Sequence, residues 1–312
     1  MSVATAAGFR DIGATSMRYI PAIYSGKLLI KFYDATVLAA ISNTDYEGEI
    51  KQQGDTVYIR STPNITIRTY YKGQTLTHEQ PTSTPVTLTI DKARYWAFVT
   101  NSVDDKQTDI KSYVDKWTSD AAEQLKINID TAVLGDIYAD VHASNTGTTA
   151  GVKTASFDIG AMSGGNGIGL TKANILEYLV DCGTVLDEQS APESGRFFIL
   201  PPWACGLIKK SDLKDASLAG DGTSIMRNGR LGMIDRFEIF SSNLLATASD
   251  GTRTCTYMYF GTKAALTFAS QLTENKAGDN PWGFGTLYKG LQVFGYKVVK
   301  SEALGTLIAY KG

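Results

Sequence analysis

The sequence predicts an α+β protein whose helices and strands lie in separate blocks of the chain. A helical pattern without proline covers residues 108–141. Alternating apolar and polar residues, typical of strands, precede it at 55–60, 64–68, 85–90 and 93–100. More strand patterns follow at 196–200, 233–240, 254–260, 264–269 and 282–310. Because helices and strands do not alternate regularly, a doubly wound parallel sheet is not expected.

The helix predicted at residues 108–141 would be the spine of the molecule. At ~1.5 Å per residue it would extend about 51 Å, well beyond the radius of gyration of roughly 20 Å expected for a chain of this length. Its apolar residues recur every four positions, so the buried face drifts from Trp117 near the start to Val133 and Ile137 near the end. The alternative is two shorter helices, broken near Asn128 or Gly135.

Residues 45–95 predict a long hairpin, because two strand-forming arms flank a polar, turn-rich segment. At ~3.3 Å per residue such a hairpin could project by roughly 80 Å. Its faces are too polar to form a core alone, so we expect it to lie on another subunit. The candidate contact residues along it are Glu47, Lys51, Arg60, Arg68, Tyr70, Tyr71 and Lys72.

The rest of the chain gives shorter predictions. We expect an arm over residues 1–20 and a packed helix over 21–41. Residues 144–169 are rich in small residues and predict a connection between domains, and 215–230 predict an exposed loop. Two further helices are predicted at 171–186 and 203–214.

Composition limits the class of protein. With 43% hydrophobic residues, 20% charged residues and a net charge of −2, the chain can bury one or two cores. The balanced charge argues against a basic surface that binds nucleic acid. No apolar run approaches the ~18 residues of a membrane span, and no secretory signal is visible. The three separated cysteines fit reduced thiols in a cytosolic setting.

The sequence offers no convincing catalytic, cofactor or metal site. The two histidines, His78 and His142, stand outside any metal-ligand spacing, and common catalytic motifs are missing. Residues 165–169 (GNGIG) precede a predicted helix, yet the third glycine of a dinucleotide loop would fall at Leu170. A flexible connection is the preferred interpretation of this stretch, and a soluble nucleotide-binding enzyme is the less favoured alternative.

Five stretches, taken in order, resemble the major capsid proteins of tailed bacteriophages with the Hong Kong 97-type fold. DYEGEIKQQGDTVYI (45–59) is similar to the entry of their extended loop, and LTIDKARYWAFVTNSVDDKQ (88–107) to its return into the spine helix. LDEQSAPESGRFFILP (186–201) resembles the opening of the axial domain. NGRLGMIDRFEIFSSNL (228–244) and AALTFASQ (264–271) match later stretches. The chain departs from the family pattern at Arg236, where many relatives carry glycine.

The resemblance implies a division into four parts. Residues 1–44 would form the N-terminal arm and helix, and 45–95 the extended hairpin loop. A peripheral domain would combine 96–150, which hold the spine, with 282–312, and an axial domain would span 151–281. The loop near 215–229 would approach a five- or six-fold axis, which makes Asp221 and Arg227 further candidates for inter-subunit contact.

The implied function is a coat protein that assembles into pentamers and hexamers and encloses phage DNA without reading its sequence. The chain itself would be the main partner, with scaffolding, portal and decoration proteins as further ones and no membrane. We expect assembly in the host cytoplasm and a final location in the virion capsid. An encapsulin-like compartment shell is the alternative that shares this fold.

Overall fold

The computed structural model describes residues 33–34, 36–45, 56–60, 62–63, 65–107, 113–162, 164–211, 232–251 and 253–312. Its helices are α1 (Leu38–Ile41), α2 (Ser102–Gln107), α3 (Tyr113–Asp136), α4 (Ile175–Glu188) and α5 (Pro202–Lys210). Its strands are β1 (Thr56–Ile59), β2 (Val86–Thr89), β3 (Lys92–Asn101), β4 (Ile168–Leu170), β5 (Arg196–Leu200), β6 (Met233–Ile234), β7 (Phe237–Ser241), β8 (Thr247–Asp250), β9 (Arg253–Thr262), β10 (Leu266–Asp279), β11 (Gly285–Val298) and β12 (Leu304–Lys311). The α+β prediction is confirmed.

The larger sheet has seven strands, in the order β4-β12-β9-β5-β7-β6, with β8 paired to β9. Its two faces belong to different hydrophobic clusters, because successive side chains along a strand point to opposite sides. Phe198 and Phe260 face α4 and α5. Phe197 and Tyr259 face the C-terminal part of α3, together with α1. The sheet is therefore covered on both sides.

Helix α3 is the spine helix. It runs without a break through Asn128 and Gly135 and continues as a 3-10 helix over Ile137–Asp140, so the alternative of two broken helices is wrong. Residues 108–112 lie outside the described residues. Val133 and Ile137 are buried, whereas Trp117 is 45% exposed and contacts Phe98 edge-on. The spine helix is therefore held firmly at its C-terminal end and more lightly at its N-terminal end.

The smaller sheet has three strands, in the order β10-β11-β3. Its inner face packs towards the spine helix, where Trp96, Phe98 and Tyr288 form a stack. Gly290 lies opposite Trp96, and a Cβ there would overlap the indole ring. The glycine therefore makes room for the largest side chain of this face.

Several sequence predictions need correction. No strand forms at residues 65–68, because in a single chain this part of the hairpin has no neighbouring strand to pair with. A two-residue turn at Asp235 and Arg236 divides the strand predicted at 233–240 into β6 and β7. The strand predicted at 264–269 is the start of β10, and the stretch at 282–310 contains β11, a 3-10 helix over Ser301–Ala303 and most of β12.

The remaining segments are partly observed. Helix α4 begins and ends later than the predicted 171–186, and α5 is shorter than the predicted 203–214. The connection at 144–169 is tied down by a pairing of Ala150 with Phe157. Of the helix predicted at 21–41, residues 33–34 and 36–37 are described and are not helical, so the prediction is wrong there and only α1 forms a helix. The arm at 1–20 and the loop at 215–230 lie outside them.

Strand pairing is also relevant to the domain boundary expected between residues 281 and 282. Strand β10 lies before that boundary, yet it pairs along its length with β11, which lies after it. Strand β12 pairs with β9 and β4 inside the larger sheet, although the expected division groups it with the spine. Both pairings join segments that the expected division separates.

Candidate inter-subunit surface

The base of the extended hairpin is anchored to the outer face of the smaller sheet. Strand β1 pairs with β2, from Thr56 opposite Thr89 to Ile59 opposite Val86. Ile59 and Leu88 are buried in a small cluster with Ala269 and Val293. The hairpin backbone comes so close to β11 that a Cβ at Gly295 would overlap the Thr89 carbonyl. The direction in which the hairpin leaves the body is therefore set by packing.

Beyond this base, the hairpin is shaped by its own polar contacts. Its tip is a turn in which the Gln74 amide donates to the Tyr71 carbonyl at 3.0 Å, and Gly73 has a φ of 87°. The Tyr71 amide donates to the Gln74 side chain at 3.1 Å. Closer to the base, Glu79 accepts a hydrogen bond from the Thr66 amide at 2.7 Å and pairs with Arg68 at 3.9 Å. These contacts hold the two arms together.

Every residue from 65 to 85 is exposed in the single chain. Five of them are large and apolar, with exposed fractions between 61% and 91%: Ile65, Ile67, Tyr70, Tyr71 and Leu76. Monomeric proteins rarely display so many large apolar side chains on one projecting segment. The segment therefore has the properties of a surface that another macromolecule covers.

The structure brings five of the nine predicted contact residues together on this hairpin. Arg60 lies next to the base, and Arg68, Tyr70, Tyr71 and Lys72 lie along the arm towards the tip; all five are exposed. Glu47, Lys51, Asp221 and Arg227 lie outside the described residues. Inter-subunit contact through these residues stays a prediction.

A second exposed apolar surface escaped the sequence analysis. The turn that joins β10 to β11 carries Trp282 and Phe284, which are 91% and 90% exposed. The sequence PWGFG could have indicated it, because two aromatic residues in a proline- and glycine-rich turn cannot both face a core. The prediction of strand over residues 282–310 misses this turn.

A charged cluster fixes the loop between α4 and β5. Arg196 is 1% exposed and donates to Asp187 at 2.6 Å and to the carbonyls of Pro192 and Ala191. Arg236 binds the other oxygen of Asp187 at 2.8 Å. Burial raises the pKa of Asp187, but the hydrogen bonds and charges of Arg236 and Arg196 outweigh it and hold the pKa below its ordinary value. These ionic contacts are structural, since they join α4, β5 and the β6–β7 turn.

A buried carboxylate joins α1 to the spine helix. Asp130 is 1% exposed and accepts hydrogen bonds from the amides of Val37 at 2.8 Å and Leu38 at 3.0 Å. These amides lie at the start of α1, where helical donors have no partner within the helix. Burial raises the pKa of Asp130 more than the two hydrogen bonds lower it. The contact ties residues 37–41 to the centre of the molecule.

The glycine-rich stretch at 165–169 is occupied by the protein itself. The carboxylate of Asp250 accepts hydrogen bonds from the amides of Gly165 at 2.8 Å and Gly167 at 3.1 Å. Ile168–Leu170 is strand β4, so this part is not the expected flexible connection. A phosphate bound to the same amides would have to displace a carboxylate of like charge, which argues against nucleotide binding at this place.

The described part of the chain offers few other groups that could bind a metal ion or react. Histidine, cysteine and acidic side chains form no group of three that could hold a metal ion among these residues. Cys182, Cys205 and Cys255 are buried free thiols, and burial raises the pKa of each. Within the same ranges, no helix is long and apolar enough to cross a membrane.

Comparison with known proteins assigns this architecture to a class. Residues 83–308 match the family model described as phage capsid protein. Three solved structures share the fold: one from Mycobacterium phage Che8 (TM-score 0.74, 19% identity, 92% of this chain and 96% of that chain), the capsid of Cyanophage P-SCSP1u (0.70, 14%, 94% and 94%) and the mature capsid of bacteriophage PhiM1 (0.64, 15%, 97% and 95%). A comparison with curated sequences gives no significant match.

The fold is therefore the Hong Kong 97-type capsid fold, and the molecule is a shell-forming structural protein. The chain belongs to the phage capsid protein family, because the family model covers most of its length. It is a major capsid protein of a tailed bacteriophage, it forms the phage head by self-association, and its place is the virion capsid.

Proposed function

We propose that copies of this chain form pentamers and hexamers, and that these build an icosahedral head around the phage genome. The observation that carries the proposal is the exposed hairpin segment at residues 65–85, with its five large apolar side chains. A segment that reaches away from its own core can bury these side chains only on a neighbour. Head-to-tail contacts of this kind close into rings and shells.

We further propose a division into domains that follows strand pairing. Residues 1–44 would be the N-terminal arm and helix, and 45–91 the extended loop, which ends where β3 begins. The peripheral domain would contain the spine helix with β3, β10 and β11, because these strands share one sheet. The axial domain would contain residues 151–263 together with β12, because β12 pairs with β4 and β9.

The proposed role is structural and not catalytic. The interior of the head would hold DNA without sequence-specific contacts, in keeping with the net charge of −2. Scaffolding, portal and decoration proteins are further partners under this proposal, and assembly would take place in the host cytoplasm.

The test is to remove the apolar side chains of the hairpin. In the variant Ile67→Ser, Tyr70→Ser, Tyr71→Ser we expect an unchanged melting temperature for the unassembled chain, because all three side chains are exposed. We expect shells to be missing by negative-stain microscopy under conditions in which the unmodified chain forms them. Tyr70→Phe with Tyr71→Phe is the matched control and should assemble. Normal shells from the serine variant would contradict the role of the hairpin.

A further inference from the structure

A buried polar network lies where the spine helix ends. His142 stands between the 3-10 helix that continues the spine helix and a second 3-10 helix, Ala143–Asn145. Asn145 is fully buried, and it contacts Gln189, the residue directly after α4. Asn145 also contacts the backbone at the start of β12. The network therefore joins the end of the spine helix to both α4 and β12.

The hydrogen bonds of this network fix which side-chain atoms donate. The Asn145 side-chain nitrogen donates to the carbonyls of Glu302 at 2.8 Å and Leu304 at 2.9 Å, so the side-chain oxygen must point the other way. This oxygen accepts a hydrogen bond from the Gln189 side-chain nitrogen at 3.0 Å. The reverse orientation of Gln189 would place two oxygens against each other. Gln189 therefore presents N–H groups to the network.

The second neighbour of the Gln189 side chain is the His142 ring. The Gln189 nitrogen lies 3.2 Å from His142 Nδ1, and the Ser144 backbone amide donates to the same ring nitrogen at 3.2 Å. Because two donors meet at Nδ1, this nitrogen is an acceptor and carries no proton. The ring is therefore neutral in the folded chain, with its single proton on Nε2.

The charged side chains on the elements around the ring have other partners. Asp140 pairs with Lys297 at 2.8 Å. Asp187 pairs with Arg196, and Glu188 accepts a hydrogen bond from the Lys153 amide at 2.8 Å. Glu302 reaches the network through its backbone carbonyl. Among the described residues no carboxylate pairs with the His142 ring, so the ring's own hydrogen bonds decide the effect of an added proton.

We propose that His142 is an acid-sensitive switch at the end of the spine helix. A proton taken up from solvent at Nδ1 turns this acceptor into a donor, so the hydrogen bonds from Gln189 and Ser144 are both lost. Donors left without acceptors then destabilise the junction of the spine helix with α4 and β12. Histidine ordinarily changes charge between about pH 5 and 8, so the switch responds to mild acid. The inference concerns the single chain and is independent of shell formation.

A substitution that keeps the acceptor but cannot titrate tests the switch. His142→Asn places an amide oxygen where Nδ1 stood, because both atoms are bonded to Cγ. Urea unfolding of the unassembled chain is measured from about pH 8 to about pH 5. Relative to this variant, the unmodified chain should become more easily unfolded as pH falls, by about tenfold or more in the unfolding equilibrium constant. Taking the ratio at each pH cancels the titration of other groups, including Asp130.

The other histidine provides the matched control. His78 is exposed on the hairpin, so His78→Asn should follow the unmodified chain at every pH. A ratio for His142→Asn that stays constant between about pH 8 and 5 would overturn the inference.

Nuclear magnetic resonance of the ring nitrogens gives an independent answer if His142→Asn misfolds. The chain has only two histidines, so the His78→Asn variant assigns the signals of the His142 ring. Near pH 8 we expect His142 to show one tautomer, protonated on Nε2, whereas the exposed His78 should exchange between both. A mixture of tautomers at His142 would overturn the inference.

Discussion

At the residue scale, Arg236 combines an unfavourable backbone with favourable ionic contacts. Asp235 and Arg236 have φ values of 43° and 67° in the two-residue turn between β6 and β7, where glycine is preferred at the second position. The Arg236 side chain contacts Asp187 at 2.8 Å and Glu193 at 3.2 Å. Arg236 therefore has an unfavourable backbone conformation but gains ionic contacts with α4 and with the loop after it.

Substitution of Arg236 separates the two effects. Arg236→Gly and Arg236→Ala lose the same ion pairs, but alanine keeps the left-handed strain of about 1–2 kcal/mol. We expect the alanine variant to unfold at lower urea concentration than the glycine variant, by about 1 kcal/mol in the free energy of unfolding. Equal urea midpoints for the two variants would show that the turn escapes the strain by adopting a different φ at position 236.

Asp130 is expected to give a pH-dependent contribution to stability. Asp130→Ala leaves two buried amides without an acceptor and should cost about 1–3 kcal/mol for each. The pKa of Asp130 in the folded protein lies above its ordinary value of 3.8, because burial disfavours the charged carboxylate. At pH values between the unfolded and the folded pKa, the folded state therefore binds more protons than the unfolded state. The contribution is therefore complete below 3.8 and is lost as pH rises through the folded pKa.

Comparison with Asp130→Asn measures this dependence. Asparagine does not titrate, so the advantage of the unmodified chain over this variant should shrink as pH rises from about 4 towards neutrality. Urea unfolding at several pH values gives the difference in free energy. An advantage that grows with pH would mean that the two amides, and not burial, dominate the pKa of Asp130.

Sequence reasoning could not find these residue pairs. Asp130 lies 93 positions from Val37, and Asp187 lies 49 positions from Arg236. An aspartate inside a helix is usually a solvated charge, and nothing in a single sequence distinguishes Asp130 from Asp120 or Asp136. Only the tertiary fold shows which carboxylate meets buried donors.

At the element scale, the spine helix is secured unevenly along its length. Ile137→Ala removes a buried side chain and should cost the unassembled chain about 2–5 kcal/mol. Trp117→Ala removes a larger side chain, but one that is 45% exposed, so the loss should stay below about 2 kcal/mol. Thermal or urea unfolding of the two variants gives the order.

The difference between Trp117 and Ile137 should also affect assembly. The drifting apolar ridge of the helix predicts that Trp117 is buried, so if a neighbour covers it in the shell, Trp117→Ala should weaken assembly more than it weakens the single chain. A Trp117 variant that is as destabilised as the Ile137 variant before assembly would contradict the uneven packing.

The spine helix and strand β5 were predictable because their patterns are local. Four-residue spacing and the absence of proline define the helix, and the RFFIL run defines the strand. The error at residues 65–68 has a different cause. Alternation there indicates a residue order suited to a strand, but a strand also needs a partner, and the single chain offers none at that place.

At the scale of the whole molecule, stability of the chain and ability to assemble should be separable. Removal of residues 304–312 deletes β12 from the interior of the larger sheet and exposes the edges of β9 and β4. We expect this variant to be insoluble or unfolded by circular dichroism, because an interior strand supplies both faces of the sheet. The serine variant of the hairpin, by contrast, should stay folded and fail only to form shells.

The position of β12 also bears on the order of events during synthesis. Its partner β4 ends at Leu170 and β12 begins at Leu304, so the ribosome must add more than a hundred residues between two strands that lie side by side. Pairings between such distant segments form late and slowly. A growing chain therefore cannot complete its larger sheet until β12 has been synthesised, and until then the edges of β4 and β9 that β12 covers stay unpaired.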